Sequence, residues 1–438
     1  MPSSYSTTSM PCSYLSSANQ STRDTQHRLR YRLAFAIPKL LLAISTGISI
    51  SAIAQDSERT YLATDSAPSS MTQTNLLLIN TSTVATNRAA PQINWSGMVT
   101  AHSPAQPIAA FIKDWDEPLT SGKHAYAQGR MALDVRPAGS AISYGLGWRY
   151  DYLMEFNQET ANLYWQYQNN QLPNQDQTYP IQLEAKHNER VGANIGFTQQ
   201  LVPNWQLTTY ANIWRGLHAI EGNALGTLTS QALIESETIR NIDRLNSIKT
   251  DLNYYYDKPA LGEEENLNWY PDKPAGYGYS LDVQLTGQLS DKTALSIRGY
   301  DVLGRMHWQD MPSTQYVLDY DIDRSTTDKT RGQLLTNDIT QTLPWRAEGS
   351  LTHQVNDKWQ LGAHGQANDI ESLYQLSAGY QIDHATIPIV ITGLVEPQTK
   401  AIGLAVDTKY GGIKLLTDDL DSEKAKRSEI SLYGRYTW

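Results

Sequence analysis

Ile142-Ser143-Tyr144-Gly145-Leu146-Gly147-Trp148-Arg149-Tyr150-Asp151-Tyr152-Leu153-Met154-Glu155-Phe156 sets bulky apolar residues at every even position and Ser, Gly, Gly, Arg, Asp, Leu and Glu at the odd ones. Successive side chains of a strand point to opposite faces, so this segment has one continuous apolar face and one small or polar face, with Leu153 as the break. The pattern returns from Tyr277 to Leu289, with Asp282 among the intervening residues, and from Leu343 to Val355, with Arg346 and Glu348 between the apolar positions. It returns again over 191–198, 358–367, 374–382, 402–410 and 430–438. Strands of soluble sheets alternate too, but they run to about 5–6 residues. Crossing a bilayer at a tilt takes about 9–11, and several of these segments reach or exceed that, so they read as membrane-crossing strands.

The composition fits once it is sorted by face. The 438 residues carry a formal net charge of -10, and 40% are hydrophobic, with a mean hydropathy of -0.47. Tyr (26) and Trp (11) far outnumber Phe (4). That excess suits a boundary between apolar and wet surroundings better than a dry core. Trp148, Tyr150, Tyr277, Trp345, Trp359 and Trp438 lie near the ends of apolar faces, where two aromatic girdles would sit. No run reaches the roughly 18 apolar residues of a membrane-spanning helix. An acidic chain is also poorly suited to nucleic acid, whose phosphates call for Lys and Arg.

The amino terminus reads as an export signal. Arg28, Arg30, Arg32 and Lys39 precede an uncharged stretch from Leu40 to Ile53, and Ala52-Ile53-Ala54 supplies a small-residue cleavage site. Cleavage after residue 54 would remove Cys12, the single cysteine, and leave a chain without disulfides or thiolate ligands. Residues 55–121, rich in Ser, Thr, Ala, Asn and Pro, read as a flexible periplasmic lead, with a short plug or an extra strand around Trp95 to Val99 as the alternative. Residues 122–438 read as the strand-built body.

Tight polar turns join the alternating segments at Val202-Pro203-Asn204-Trp205, Asn356-Asp357-Lys358-Trp359 and Ser290-Asp291-Lys292-Thr293, as short hairpin connections require. The chain ends Ile430-Ser431-Leu432-Tyr433-Gly434-Arg435-Tyr436-Thr437-Trp438. Here the sequence resembles Gram-negative outer-membrane β-barrels, whose last strand typically ends in an aromatic residue with another two positions earlier. The resemblance implies an all-β, antiparallel transmembrane barrel in the cell outer membrane. It also implies that Gly434, Tyr436 and Trp438 serve as the signal read by the barrel-assembly machinery. Outer-membrane lipid and lipopolysaccharide would be its surroundings. The length allows about 14 strands of roughly 10 residues, within a range of about 12–16. Within 217–276, Leu225, Leu228, Ala232, Leu233, Ile239, Ile242, Leu245, Ile248 and Leu252 recur at steps of three and four, which predicts one amphipathic helical insertion on the extracellular side or at the barrel mouth.

Motif chemistry is sparse. Asp319-Tyr320-Asp321-Ile322-Asp323 opens like a calcium loop, but Arg324 stands where Gly is needed and Thr330 where Glu is needed. Asp383 and His384 are adjacent, so on a strand they point to opposite faces, as do His353 and His364 across their hairpin. No nucleophile, base and orienting group converge, and no cofactor or metal motif is present, so the sequence does not read as an enzyme. With the apolar parity facing lipid, Arg149, Asp151, Glu155, Asp282, Arg346, Glu348, Asp407 and Arg435 would face the lumen, either paired with one another or tuning a passage. A passive channel or uptake protein for small solutes or lipophiles is the leading expectation. A closed barrel acting as a structural or surface-interaction scaffold is the alternative, and a soluble periplasmic β-rich protein or an outer-membrane hydrolase comes after it.

Overall fold

Each alternating segment has a strand at its centre in the computed structural model, which describes residues 90–112, 122–169, 171, 175–232, 245–258, 269–321, 329–382 and 388–437. The strands are β1 (Gln92–His102), β2 (His124–Arg136), β3 (Ile142–Phe156), β4 (Gln177–Val202), β5 (Trp205–Ser230), β6 (Leu245–Tyr256), β7 (Ala275–Ser290), β8 (Thr293–Tyr300), β9 (Arg305–Asp321), β10 (Lys329–Thr342), β11 (Arg346–Gln354), β12 (Trp359–Asn368), β13 (Ser372–Ile382), β14 (Ile389–Glu396), β15 (Ala401–Thr408), β16 (Gly411–Thr417) and β17 (Arg427–Thr437). Two helices accompany them among the described residues, α1 (Ile108–Ile112) and α2 (Gln158–Gln168). Asn157 caps α2, its Oδ1 accepting the Thr160 backbone N–H at 2.7 Å.

All pairings are antiparallel, and they close on themselves. Gly97 of β1 stands opposite Leu432 of β17 on one side and Met131 of β2 on the other. Followed through β6 and β9, the circuit is a ring of 16 strands. Three wall positions are each built from two collinear segments. β6 and β7 both pair with β5, at its upper and lower halves, and β8 and β9 both pair with β7. β10 continues into β11 through Leu343-Pro344-Trp345, where proline cannot donate to a ladder. Collinear segments taken together, the wall therefore has fourteen positions. A closed circuit of pairings is the condition for a sheet to cross a membrane.

Burial is inverted relative to a soluble protein. Leu146, Ile213 and Ile402 are 61%, 68% and 62% exposed on the outer face, whereas Asp151, Arg190 and Arg427 are fully buried inside. The outward apolar set includes residues of nearly every wall position, among them Trp95, Leu133, Phe197, Tyr279, Ile297, Leu361, Leu376, Leu404 and Leu415. Short turns at 137–141, 203–204, 291–292, 355–358 and 409–410 lie at the same end as both termini of the ring, where Gln92 pairs with Thr437. At the other end β4 and β5 run for 26 residues each, well beyond what a bilayer needs. Leu163 of α2 packs there against Tyr179 and Leu228.

Two expectations are corrected. The barrel begins before residue 122: β1, inside the stretch read as a flexible lead, closes the ring, with Trp95 and Val99 on its outer parity and Asn94, Ser96 and Thr100 on the inner. The predicted helical insertion is strand wherever 217–276 is described as regular structure, namely the upper part of β5, all of β6 and the start of β7. Steps of three and four arose because both faces of this hairpin carry Leu. Leu225 pairs with Gln182 on the inward parity and is 51% exposed, whereas Leu228 pairs with Tyr179 on the outward parity and is buried against Leu163 of α2, and ladders to β4 and β6 decide the backbone. Residues 233–244, the rest of that helical reading, lie outside the described residues, as do the export signal and Trp438.

Candidate functional site: the barrel interior

The inward parity assembles a layer of buried charge across the middle of the ring. Arg149 on β3 reaches both carboxylate oxygens of Asp282 on β7, three wall positions away, and also Asp301. Arg190 on β4 holds Asp151 at 2.9 Å and Asp301 at 2.7 Å. Asp301 sits in the short break between β8 and β9, where its backbone N–H donates to Asp282 Oδ1 at 3.0 Å. Arg130 Nη2 stands 3.6 Å from Asp151 and 3.8 Å from Asp301, beyond hydrogen-bonding distance. Aromatic faces complete the layer: the Arg149 guanidinium lies 4.7 Å from the Trp214 ring, and those of Arg130 and Arg298 lie 4.9 and 4.4 Å from Tyr300.

Gln128 carries the layer to the opposite wall. Its amide donates to Asp151 at 2.7 Å, and its carbonyl accepts from Arg346 at 3.1 Å. Arg346 pairs with Glu348 at 2.7 Å and donates to Gln366 at 2.6 Å. A further group joins Arg427 to Glu396 and Glu429 at 2.8 and 2.7 Å, with Lys414 on Glu429 at 2.6 Å. Unpaired buried charge costs several kcal/mol per ion, so reciprocal pairing is what lets so many sit at zero or near-zero exposure.

The surroundings differ on the two sides of this layer. Toward the turn end lies a polar cavity of about 170 Å³, lined by Asp134, Arg136, Arg298, Tyr433 and Arg435 among others. Toward the loop end the interior becomes apolar, with Trp214, Met306, Trp308, Met311 and Leu343 packed together and Tyr255 and Ile339 beside them. Trp308 fits because Gly216 and Gly276 face its ring; a Cβ on either would overlap it. At the loop mouth Glu371, in the turn between β12 and β13, accepts from His102 at 2.7 Å. Burial pushes its carboxyl up, but the two facing histidines, His102 and His124, outweigh that and bring it down to about 2.

Of the residues read as lumen-facing, Arg149, Asp151 and Asp282 meet in the charge layer, and Arg346 and Glu348 in its extension. Asp407 is apart from them, bonded to the Tyr433 hydroxyl at 2.6 Å, and Arg435 lines the cavity, half-buried. Glu155 is exposed, near the loop end of β3. Gly434 packs against Trp95 across the β1–β17 seam, and Tyr436 is exposed. Sequence reading missed Arg130, Arg190 and Asp301. The first two sit at alternate positions of β2 and β4 and were open to the parity argument; Asp301 lies in a break where parity says nothing.

No family model matches this chain, and no curated protein matches it. Among solved structures, the toluene transporter TbuX of Ralstonia pickettii overlaps it with a TM-score of 0.36 and 12% identity, covering 80% of this chain and 89% of that one. The toluene transporter TodX of Pseudomonas putida gives a TM-score of 0.35 and 12% identity over 80% and 92%. A FadL homologue of Pseudomonas aeruginosa gives 0.35 and 9% over 79% and 89%. At these TM-scores the overlaps are likenesses of outline, and the architecture stands on the chain's own strand pairings.

Proposed function

We propose that this chain is an outer-membrane barrel for uptake of small lipophilic solutes, with its turn end in the periplasm and its charge layer as the closure. The short-turn side of such barrels is periplasmic and the longer loops extracellular. The observation that carries the reading is the Trp214, Met306, Trp308, Met311 and Leu343 cluster inside the barrel on the loop side of the charges. Barrel interiors are ordinarily polar, and an apolar interior patch at the outer half is a place for an apolar solute to leave water. A second reading, a sealed barrel that displays its loops, is favoured by the paired and buried charges that cross the ring. Proteoliposomes separate the two. A small aromatic solute entering faster than a sugar of similar size, with the advantage lost in Trp308→Gln, supports uptake. Equal entry into protein-free liposomes supports the sealed barrel.

A further inference from the structure

His102 ends β1, His124 begins β2, and Glu371 stands in the three-residue turn between β12 and β13. On β1 the inward parity is Met98, Thr100 and His102, and His102 stands opposite Tyr126 of β2. The circuit from β1 to β12 passes through β17, β16, β15, β14 and β13, so the carboxylate approaches the imidazoles from the far wall, across the mouth.

Each donor is held in place by backbone. The β1–β2 ladder fixes His102 and the β2–β3 ladder, with His124 opposite Glu155, fixes His124; their ring centroids lie 5.6 Å apart, edge to face. Asn368 Oδ1 accepts from the backbone N–H groups of Ile370 and Glu371, each at 2.9 Å, and the Asn368 N–H donates to the Glu371 carbonyl at 3.0 Å. The Glu371 turn is therefore fixed independently of its side chain. Glu371 Oε1 faces His102 Nδ1 at 2.7 Å, and Oε2 faces His124 Nε2 at 3.3 Å. The first contact is a well-formed hydrogen bond; His124 Nε2 is buried without one. One ligand atom from each of the three residues lies within 4.8 Å of the others.

Two imidazole nitrogens and one carboxylate oxygen, with positions left for water, are a donor set that suits zinc and neighbouring divalent metals. Zinc bonds of about 2.0–2.2 Å place tetrahedral donors roughly 3.4 Å apart. From a spread of 4.8 Å the cluster must close by up to about 1.4 Å, a movement for side-chain rotation with the three backbone anchors left where they are. We propose that His102, His124 and Glu371 form a site for a divalent transition metal of the zinc type, which pins the β1–β2 hairpin to the β12–β13 turn across the barrel mouth. The site stands on these residues alone and does not depend on what passes through the barrel.

Tag-free, full-length protein folded in detergent and stripped with chelator tests it, by calorimetric titration with zinc and by visible absorption with cobalt. The expected result is one metal per folded chain, with cobalt bands of four- or five-coordinate intensity. Even outer partners of metal ligands are worth about 10- to 100-fold in affinity, so His102→Ala, His124→Ala and Glu371→Gln should each weaken binding at least about tenfold. His353→Ala, on the outer wall, should leave binding unchanged. Folding of each variant is checked by its heat-modifiable gel mobility; where an alanine variant does not fold, His124→Gln takes its place in the same titration. Absence of one-equivalent zinc binding by the unmodified protein, or equal binding in all the ligand variants, would overturn the proposal.

Discussion

Asp301 shows how a single residue holds the interior together. Its φ of 53° is left-handed, a conformation that Asp and Asn tolerate better than other side chains because they bond locally to the backbone. That turn aims the carboxylate at three arginines at once, Arg149, Arg190 and Arg130. Asp301→Asn keeps the shape and the backbone preference but removes the charge, leaving buried guanidinium groups undercompensated. Breaking a buried pair costs about 3–5 kcal/mol. Urea unfolding in detergent should show a loss of that order, and a loss below about 1 kcal/mol would mean that water, not Asp301, compensates the arginines.

At the scale of elements, ring closure depends on the β1–β17 seam. Gly434 lies on the ladder opposite Trp95, and a Cβ there would drive into the indole. Gly434→Val should weaken closure, seen as loss of the compact, heat-modifiable gel form, while Gly393→Ala, which meets nothing nearby, should not. Ser350 to Thr352 on β11, in the ring beside β8, makes the general lesson clear: alternation was enough to name this strand, because a slip of one residue would exchange its buried and exposed faces. β1 was harder to read, since Asn94, Ser96 and Thr100 make its inward face look like linker, and the signal lay only in Trp95 and Val99. The upper β5–β6 hairpin was misread, because α2 covers one face of it there and Leu occurs on both faces. The candidate site was half legible. Parity finds Arg149, Asp282 and Arg346, but the convergence of Asp301, Glu371 and the two mouth histidines depends on turns and on which walls face each other.

For the whole molecule, the question is whether the charge layer is the barrier to passage, and Arg130 allows that to be asked without unfolding the barrel. It is buried, yet none of its side-chain nitrogens makes a hydrogen bond, and its two carboxylate neighbours stand at 3.6 and 3.8 Å. Asp151 and Asp301 each keep a closer arginine when it is gone, Arg190 for both and Arg149 for Asp301. Arg130→Ala should therefore cost only about 1–2 kcal/mol, less than Asp301→Asn. It also removes a charged side chain that, beside Tyr300, lines the polar cavity on the turn side. If the layer is the barrier, planar-bilayer recordings should show a rise in ion conductance for Arg130→Ala over the unmodified barrel, with the same gel mobility. Unchanged conductance in a folded variant would place the barrier elsewhere, and the apolar cluster around Trp308, on the other side of the charges, would be the next position to open.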